Sequence, residues 1–241
     1  MQKNEYTAAP GPFRLMVVLG ESTVEGGGWL AKTEERWADI LHRLLETAQE
    51  QPLGYYNAGI GASVISPASP GYDASRKPSA SERLQAEVID KNPDLVIIAY
   101  GLNDMRAGMP VEMFRGEMEE LIRRIREQLD PLIVITNVYY QPKYSLYPPF
   151  DSGSMEAAKT YNRILHDISQ QTNCVYADVW RAEGEKAWVV HQDTVHANKI
   201  GNMLIAHAVF QATVHAAPGI AKNVRKRDAG TEWTKGCLNS Q

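Results

Sequence analysis

Four polar residues, far apart in the chain, have the side-chain types that acyl transfer requires. Ser22 is a candidate nucleophile and His196 a candidate general base. Asp193 precedes His196 by three residues, a spacing that can bring both side chains to the same side of a turn. An unassisted serine hydroxyl is a weak nucleophile, and a histidine oriented by a carboxylate can activate it. The side-chain amide of Asn103 can donate a hydrogen bond to the oxyanion that forms.

Backbone N–H groups are the other expected oxyanion donors. They belong to Ser22 itself and to Gly61 or Ala62, within a stretch of small residues that lets the main chain approach a substrate closely. The residue types leave the choice between positions 61 and 62 open. Alanine can supply the N–H at position 62 if its φ angle is negative.

Each of these residues also has a purely structural interpretation. Ser22 and Asp193 can cap helices, and Asn103 can belong to an ordinary turn. His191, together with Asp193 and His196, resembles a metal-binding cluster, but a zinc site would leave the serine and the asparagine without a role. The combination favours a nucleophilic site without a metal.

Five runs rich in β-branched residues would form the strands that position these groups. Segments with helical apolar periodicity lie between them, and this alternation predicts βαβ units around a parallel sheet. In such a sheet, ligands bind at the carboxyl ends of the strands, and the serine and the asparagine each follow a run closely. The runs span residues 15–19, 55–57, 95–100, 132–138 and 174–179.

Four sequence blocks carry a family resemblance. GES, NAGIGAS, GLND and DTVH, in this order, resemble the SGNH (GDSL-type) hydrolase superfamily, as do RWADIL and HANKIGN, and the resemblance covers about residues 14–212. It implies a flavodoxin-like three-layer α/β/α sandwich with a mostly parallel sheet of about five strands. It also implies ester or thioester hydrolysis without a cofactor. Ser22, His196 and Asp193 would form the triad, with the side chain of Asn103 as an oxyanion donor.

Two positions depart from the family pattern. Glu21 replaces the aspartate that usually precedes the serine, and we expect it to be a structural partner for the loop. In the second block the family usually has glycine where this chain has Ala62, and the glycine stands one position earlier, at Gly61.

Two long stretches without periodicity, residues 63–81 and 139–154, interrupt the pattern. Loops of this length are usually functional or disordered, and the second is too aromatic for a disordered linker. We predict that it walls the substrate pocket, since flat rings suit sugars as well as acyl chains. The alternative is that its rings pack as a small loop core. The predicted substrate-binding residues are Tyr139, Tyr140, Tyr144 and Tyr147.

The substrate is predicted with less detail than the reaction. No apolar helical lid is visible, which argues against long acyl chains. We expect a serine esterase for short, acetyl-type esters, with acetylated carbohydrates as the leading class. The alternatives are a lysophospholipase or thioesterase, and a non-catalytic carbohydrate-binding module on the same scaffold.

Composition bounds the partners and the location. A net charge of −4 gives no reason to expect nucleic acid or a membrane surface as partner. No apolar run approaches the ~18 residues of a membrane span, and the N-terminus lacks a signal pattern. Cys174 and Cys237 are too far apart in sequence for a disulfide framework, so we predict a cytoplasmic protein. Residues 1–218 would form the catalytic domain. Residues 219–241 would form a tail that packs on a partner chain, as a homo-oligomer, or across its own domain.

Overall fold

Five parallel strands form a single sheet in the computed structural model, which describes residues 11–231. Their order is β2-β1-β3-β4-β5, with neighbours in parallel register throughout. This confirms the predicted α/β class and the predicted number of strands. The strands are β1 (Leu15–Gly20), β2 (Gly54–Gly59), β3 (Leu95–Ala99), β4 (Leu132–Thr136) and β5 (Val175–Ala177).

The apolar runs become central strands because both faces of the sheet are covered. In β1, β3 and β4 the side chains are buried on both sides, which explains why these runs read as continuously apolar. β5 is shorter than its run, since residues 178–179 already turn into the next helix.

Helices cover the two faces and complete the predicted three-layer sandwich. α2 and α9 pack together on one face, and α4, α6 and α7 lie on the other. The apolar stripes predicted for α2, α6 and α7 are buried. The helices are α1 (Ser22–Glu25), α2 (Trp37–Gln49), α3 (Tyr72–Ser75), α4 (Ala80–Glu87), α5 (Leu102–Arg106), α6 (Val111–Arg126), α7 (Met155–Gln171), α8 (Val179–Glu183), α9 (Lys199–Ala216) and α10 (Lys222–Ala229).

The part of the tail that the structure describes packs on its own domain. Ile220 is buried, and the Asn223 side chain donates a hydrogen bond to the Gln49 carbonyl at 3.1 Å. Arg227 pairs with Glu50 at the end of α2. The division at residue 218 and the homo-oligomer stay predictions, and Cys237 lies outside the described residues.

The polar and apolar character of the helices bears on membrane insertion. Within residues 11–231 no individual helix has the length and apolarity to cross a bilayer, although α9 together with residues 218–229 passes that test as a pair bent by 88°.

The two long loops pack against each other. Val64 in the first loop, Phe150 in the second, and Ala107 after α5 form a small cluster of buried residues separate from the main core. Tyr72 and Leu146 pack against this cluster. The loops are therefore ordered parts of the domain at the carboxyl edge of the sheet.

Candidate active site

Ser22 lies where β1 turns into α1, at the carboxyl edge of the sheet. The turn is tight, because a Cβ atom added to Gly20 would lie 2.3 Å from the Val24 side chain and 2.9 Å from the Ala99 carbonyl oxygen. Only glycine fits there, and the chain reverses at once into α1. The serine hydroxyl is thereby presented beyond the strand end.

Ser22, His196 and Asp193 form a continuous chain of hydrogen bonds. His196 Nε2 lies 2.9 Å from Ser22 Oγ, and His196 Nδ1 lies 2.8 Å from Asp193 Oδ2. The other carboxylate oxygen, Oδ1, accepts the backbone N–H groups of Val195 and His196 at 2.8 and 2.9 Å. One aspartate therefore shapes the turn and orients the imidazole. The structure brings together the three residues that the sequence predicts as a triad.

The protonation states suit proton transfer from a serine. Burial lowers the pKa of His196 below its usual 6.5, and the hydrogen bond and charge of Asp193 offset this only in part. Burial acts to raise the pKa of Asp193, but hydrogen bonds from the backbone and ring of His196 and from Val195 outweigh it and lower that pKa to about 2. At neutral pH the carboxylate is ionised and the imidazole is free to accept a proton.

His191 also contacts the aspartate. Its Nδ1 atom lies 3.2 Å from Asp193 Oδ2 and accepts the Asp193 backbone N–H at 3.2 Å. This is the trio that resembles a metal cluster in the sequence. Within the described part of the chain, no group of three or more His, Cys, Asp and Glu residues is arranged to hold a metal ion.

Trp29 covers one face of the imidazole, a contact that the residue pattern did not predict. The two rings are stacked, with centroids 3.6 Å apart and an interplanar angle of 6°. The glycines before Trp29 permit this, because a Cβ on Gly27 would overlap the indole at 2.3 Å and Gly26 has a φ of 79°. The sequence signal was the run GGGW shortly after the nucleophile.

The backbone around the second block, NAGIGAS, bears on whether residue 61 or residue 62 can donate its N–H to the oxyanion. The φ angle of Ala62 is 60°, so the negative φ that the sequence analysis set as the condition for an alanine donor is not met, and Ala62 adopts the left-handed conformation instead. The Gly61 N–H donates to Glu25 Oε2 at 2.7 Å and is thus already engaged. Among the hydrogen bonds of residues 11–231, none has the Ala62 or Ser22 N–H as donor. These two N–H groups are therefore available to a bound substrate.

Asn103 lies in the first turn of α5, directed toward the same loop. Its Nδ2 atom donates to the Ser63 carbonyl at 3.0 Å, which uses one of the two amide hydrogens. The remaining hydrogen makes Asn103 a candidate donor to an oxyanion.

Glu21 ties the turn before Ser22 to the start of α5. Its Oε1 atom accepts the backbone N–H groups of Gly101 and Leu102 at 2.9 and 3.1 Å and that of Asn103 at 3.4 Å. This is the structural role expected for the residue before the serine. Burial, followed by the charge of Asp104, raises the pKa of Glu21 to about 8 against the effect of these hydrogen bonds.

Two more buried ionisable residues, both in α5, hold the long loops. Asp104 accepts the Ile65 N–H at 3.1 Å. Arg106 donates to the Tyr144 carbonyl at 2.8 Å and to the Gln141 side chain. α5 thus links Asn103 to both loops. This role could not be predicted from the sequence, because ionisable residues on a short polar segment resemble a solvated turn.

Two of the predicted substrate-binding tyrosines are packed into the domain. The Tyr139 hydroxyl donates to the Val195 carbonyl at 2.8 Å, next to His196, and its ring is buried. The buried Tyr144 accepts the Gln141 N–H through its hydroxyl at 3.1 Å. These rings adopt the loop-core arrangement, and a direct substrate contact for them stays a prediction.

The other two tyrosines are less constrained. Tyr140 is half-buried and meets the edge of the Trp180 ring, with centroids 5.7 Å apart. Tyr147 is 66% exposed and touches the Phe150 ring edge-on. Tyr147 is therefore the loop ring most accessible to a ligand.

Two open cavities lie away from the triad. One of about 490 Å³ is bordered by α7, β5 and α8, and one of about 600 Å³ lies between α8 and α9. Neither is lined by Ser22, Asp193 or His196. The hydrogen-bond geometry, rather than cavity size, makes Ser22, His196 and Asp193 the candidate site.

Comparison with known proteins gives a family match. The model of the GDSL-like Lipase/Acylhydrolase family matches residues 18–204, which include every predicted triad residue. The Uncharacterized lipoprotein YqeF of Bacillus subtilis (strain 168) is 24% identical over 198 residues, which are 71% of this chain and 74% of the relative.

Solved structures share the fold at low sequence identity. The acetylxylan esterase Axe2 from Geobacillus stearothermophilus superposes with a TM-score of 0.64 at 17% identity, covering 85% of this chain and 96% of that one. TesA superposes with a TM-score of 0.66 at 16% identity, covering 84% of this chain and 99% of that one.

Proposed function

Because the chain belongs to the GDSL-like lipase/acylhydrolase family and is thus an ester-hydrolysing serine hydrolase, we propose that it removes short, acetyl-type acyl groups from carbohydrate esters. Ser22, His196 and Asp193 are its catalytic triad in this proposal. The observation that carries it is the unbroken hydrogen-bond chain from Ser22 Oγ through both imidazole nitrogens to Asp193.

The chemistry follows from that chain. His196 Nε2 takes the proton of Ser22 Oγ as the oxygen attacks the ester carbonyl carbon. The imidazolium, stabilised by Asp193, then protonates the leaving alcohol oxygen as its bond to the acyl carbon breaks. Water loses a proton to His196 and attacks the acyl-enzyme. Collapse of the second tetrahedral intermediate returns the proton to Ser22 and releases the acid.

Three donors stabilise the tetrahedral oxyanion in this proposal. They are the N–H groups of Ser22 and Ala62 and the second amide hydrogen of Asn103. The Ser22 and Ala62 amides make no hydrogen bond to a protein acceptor within the described residues, whereas the amide of Gly61 is engaged by Glu25. That difference supports Ala62 over Gly61.

The substrate class is a separate part of the proposal. The structure shares its fold with the acetylxylan esterase, and at 17% identity this likeness bears on the fold alone. Trp29 adds a half-buried indole beside the triad, and such a ring suits the face of a sugar. The cytoplasmic location also stays a prediction.

The test compares acyl donors and a nucleophile variant. Acetate release from acetylated xylo-oligosaccharides and hydrolysis of p-nitrophenyl acetate, butyrate and dodecanoate would be measured. We expect the acetyl esters to have the highest kcat/KM. Ser22→Ala should lower kcat by about 10³-fold or more with an unchanged melting temperature. The exposed Ser152→Ala is the matched control.

Other outcomes would identify the alternatives. A preference for dodecanoate would favour a lysophospholipase or thioesterase. Sugar binding without turnover of any ester would indicate a carbohydrate-binding module. Full activity of Ser22→Ala would contradict the triad.

A further inference from the structure

Glu25 lies beside the nucleophile and engages a backbone amide that the proposed mechanism leaves unused. It is the last residue of α1, three positions after Ser22. Its Oε2 atom accepts the Gly61 N–H at 2.7 Å. A Cβ atom added to Gly61 would lie 2.7 Å from this oxygen and 3.8 Å from the Ser22 Cβ atom. The carboxylate and the nucleophile therefore flank the same short piece of backbone.

That piece of backbone is a turn in a disfavoured conformation. The Ser63 N–H donates to the Ile60 carbonyl at 3.2 Å and closes a four-residue turn. Ala62, at the third position, has a φ of 60°, while Gly61 does not have a positive φ. These angles describe a type II turn, whose third position favours glycine. A Cβ atom there crowds the following carbonyl oxygen, so alanine needs an external restraint to stay in this conformation.

The approach to the turn is already fixed on α1. The Asn57 side chain donates to the Val24 carbonyl at 2.8 Å, and a Cβ on Gly59 would lie 2.1 Å from the Glu25 backbone nitrogen. These contacts hold the end of β2 against α1. The bond from Gly61 to the Glu25 carboxylate extends this attachment into the turn itself.

We infer that Glu25 is a positioning residue for the oxyanion site. By accepting the Gly61 N–H, its carboxylate holds the turn in type II geometry and keeps the Ala62 N–H free to face the oxyanion. Glu25 exchanges no proton and contacts no reacting atom. The inference rests on the proposed triad mechanism and on Ala62 as a donor.

Three substitutions of Glu25 distinguish the contribution of its hydrogen bond with Gly61 from that of its negative charge. Glu25→Gln keeps the side-chain length and an acceptor oxygen but removes the charge. Glu25→Asp keeps the charge but shortens the side chain, and Glu25→Ala removes both. Loss of one oxyanion donor costs about 10²–10³-fold in kcat, and a displaced donor should cost less. We expect Ala and Asp to lower kcat by about tenfold to hundredfold and Gln by no more than about threefold, with KM nearly constant.

A second-site substitution provides a rescue that a general structural defect would not show. Glycine adopts a positive φ without strain, so Ala62→Gly should let the turn persist without the hydrogen bond between Gly61 and Glu25. Adding Ala62→Gly to Glu25→Ala should restore most of the lost kcat. Thermal unfolding of every variant would be followed in parallel. Glu46→Ala is the matched control, because Glu46 also accepts one loop N–H, from Leu53 at 3.2 Å, but lies in α2.

The outcomes are separable from failure of the proposed function. If the wild type hydrolyses acetyl esters and Ser22→Ala does not, the proposed triad is supported. The Glu25 variants then test only the positioning role of Glu25. Folded Glu25→Ala and Glu25→Asp proteins with wild-type kcat would contradict the positioning role of Glu25. The same conclusion would follow if kcat of Glu25→Gln were as low as that of Glu25→Asp, or if adding Ala62→Gly to Glu25→Ala did not restore kcat. If Glu25→Ala does not fold, the Gln and Asp pair decides the question.

Discussion

At the scale of single residues, His196 is held by three neighbours that act on different parts of its ring. Ser22 and Asp193 engage the two nitrogens, and Trp29 covers one face at 3.6 Å. Little rotational freedom remains for the imidazole. Pre-orientation of this kind lowers the entropic cost of reaching the transition state. The indole also excludes water from one side of the ring, which agrees with burial as the main cause of its lowered pKa.

The lowered pKa of His196 predicts the pH dependence of the reaction. Catalysis needs the neutral imidazole, so kcat/KM should rise with pH through one ionisation whose midpoint lies below 6.5. Asp193, with a pKa of about 2, stays ionised across the range and should add no second step. Initial rates with p-nitrophenyl acetate would be measured after subtraction of base-catalysed hydrolysis. The exposed His207→Asn should leave the profile unchanged. A midpoint at or above 6.5, or two ionisations, would contradict this assignment.

The sequence supports the prediction of the reacting residues better than that of the residues around them. Ser22 and His196 are 174 positions apart, yet the order of short blocks is enough to pair them. Trp29 and Glu25 could not be predicted in the same way. The run GGGW marks the position of Trp29, but its stacking depends on how three glycines fold. The role of Glu25 depends on a positive φ at Ala62, and residue types alone show neither conformation.

At the scale of elements, the strands and long helices follow from periodicity, whereas the loops do not. A continuous apolar run can only be buried on both faces, and an apolar stripe can only face a core, so β1, β3, β4 and the helices between them were predictable. The loops are ordered by buried polar groups instead. Asp104 and Arg106 bind their backbones from α5, and no periodicity encodes such contacts. The packing of the loop aromatics could therefore not be distinguished from a pocket wall in advance.

The exposure of Tyr147 allows the two roles of the aromatic loop to be tested separately. Tyr147→Ala should leave the melting temperature unchanged, because the ring is 66% exposed. If the ring contacts the sugar, loss of about 1 kcal/mol should lower kcat/KM for acetylated xylo-oligosaccharides roughly fivefold relative to p-nitrophenyl acetate.

Phe150→Ala, in the same loop as Tyr147, tests the structural role of the loop rather than a substrate contact. The Phe150 ring is buried in the cluster that joins the two loops, so its removal should cost about 3–5 kcal/mol of unfolding free energy. All substrates should then slow in equal proportion. An unchanged substrate ratio for Tyr147→Ala would show that this ring does not contact the sugar.

At the scale of the whole molecule, the domain buries several carboxyl groups that the catalytic chemistry does not use. Glu21 lies in the turn between β1 and α1, Asp104 lies in α5, and Glu183 is the last residue of α8. Burial raises their pKa values to about 8, 7 and 8, respectively. Their backbone partners, such as the Tyr140 N–H on Glu183, offset this only in part. The architecture around the site therefore favours protonated carboxyls.

These shifts predict that the protein becomes less stable as the pH rises through neutrality. A carboxyl with a higher pKa in the folded state takes up protons on folding, so its stabilising contribution is complete below its unfolded pKa. Starting from ordinary values of 4.5 for the glutamates and 3.8 for the aspartate, the contribution declines as pH rises and is lost above about 8. Urea unfolding at a series of pH values should show the unfolding free energy falling between about pH 5 and 8.

Glu183→Gln isolates one of these groups. Glutamine can still accept the Tyr140 N–H but does not titrate, so the variant should show a shallower decline, by at most about 1.4 kcal/mol per pH unit. Glu156→Gln, at an exposed position of α7, is the matched control for the substitution itself. Near pH 5 the Glu183→Gln protein should differ least from the wild type, since Glu183 is then protonated in the folded protein and carries no charge that the substitution removes. Parallel curves for Glu183→Gln and the wild type would show that Glu183 folds as an ionised group. Stability that is flat or rising over this range would contradict the raised pKa values of the three carboxyls taken together.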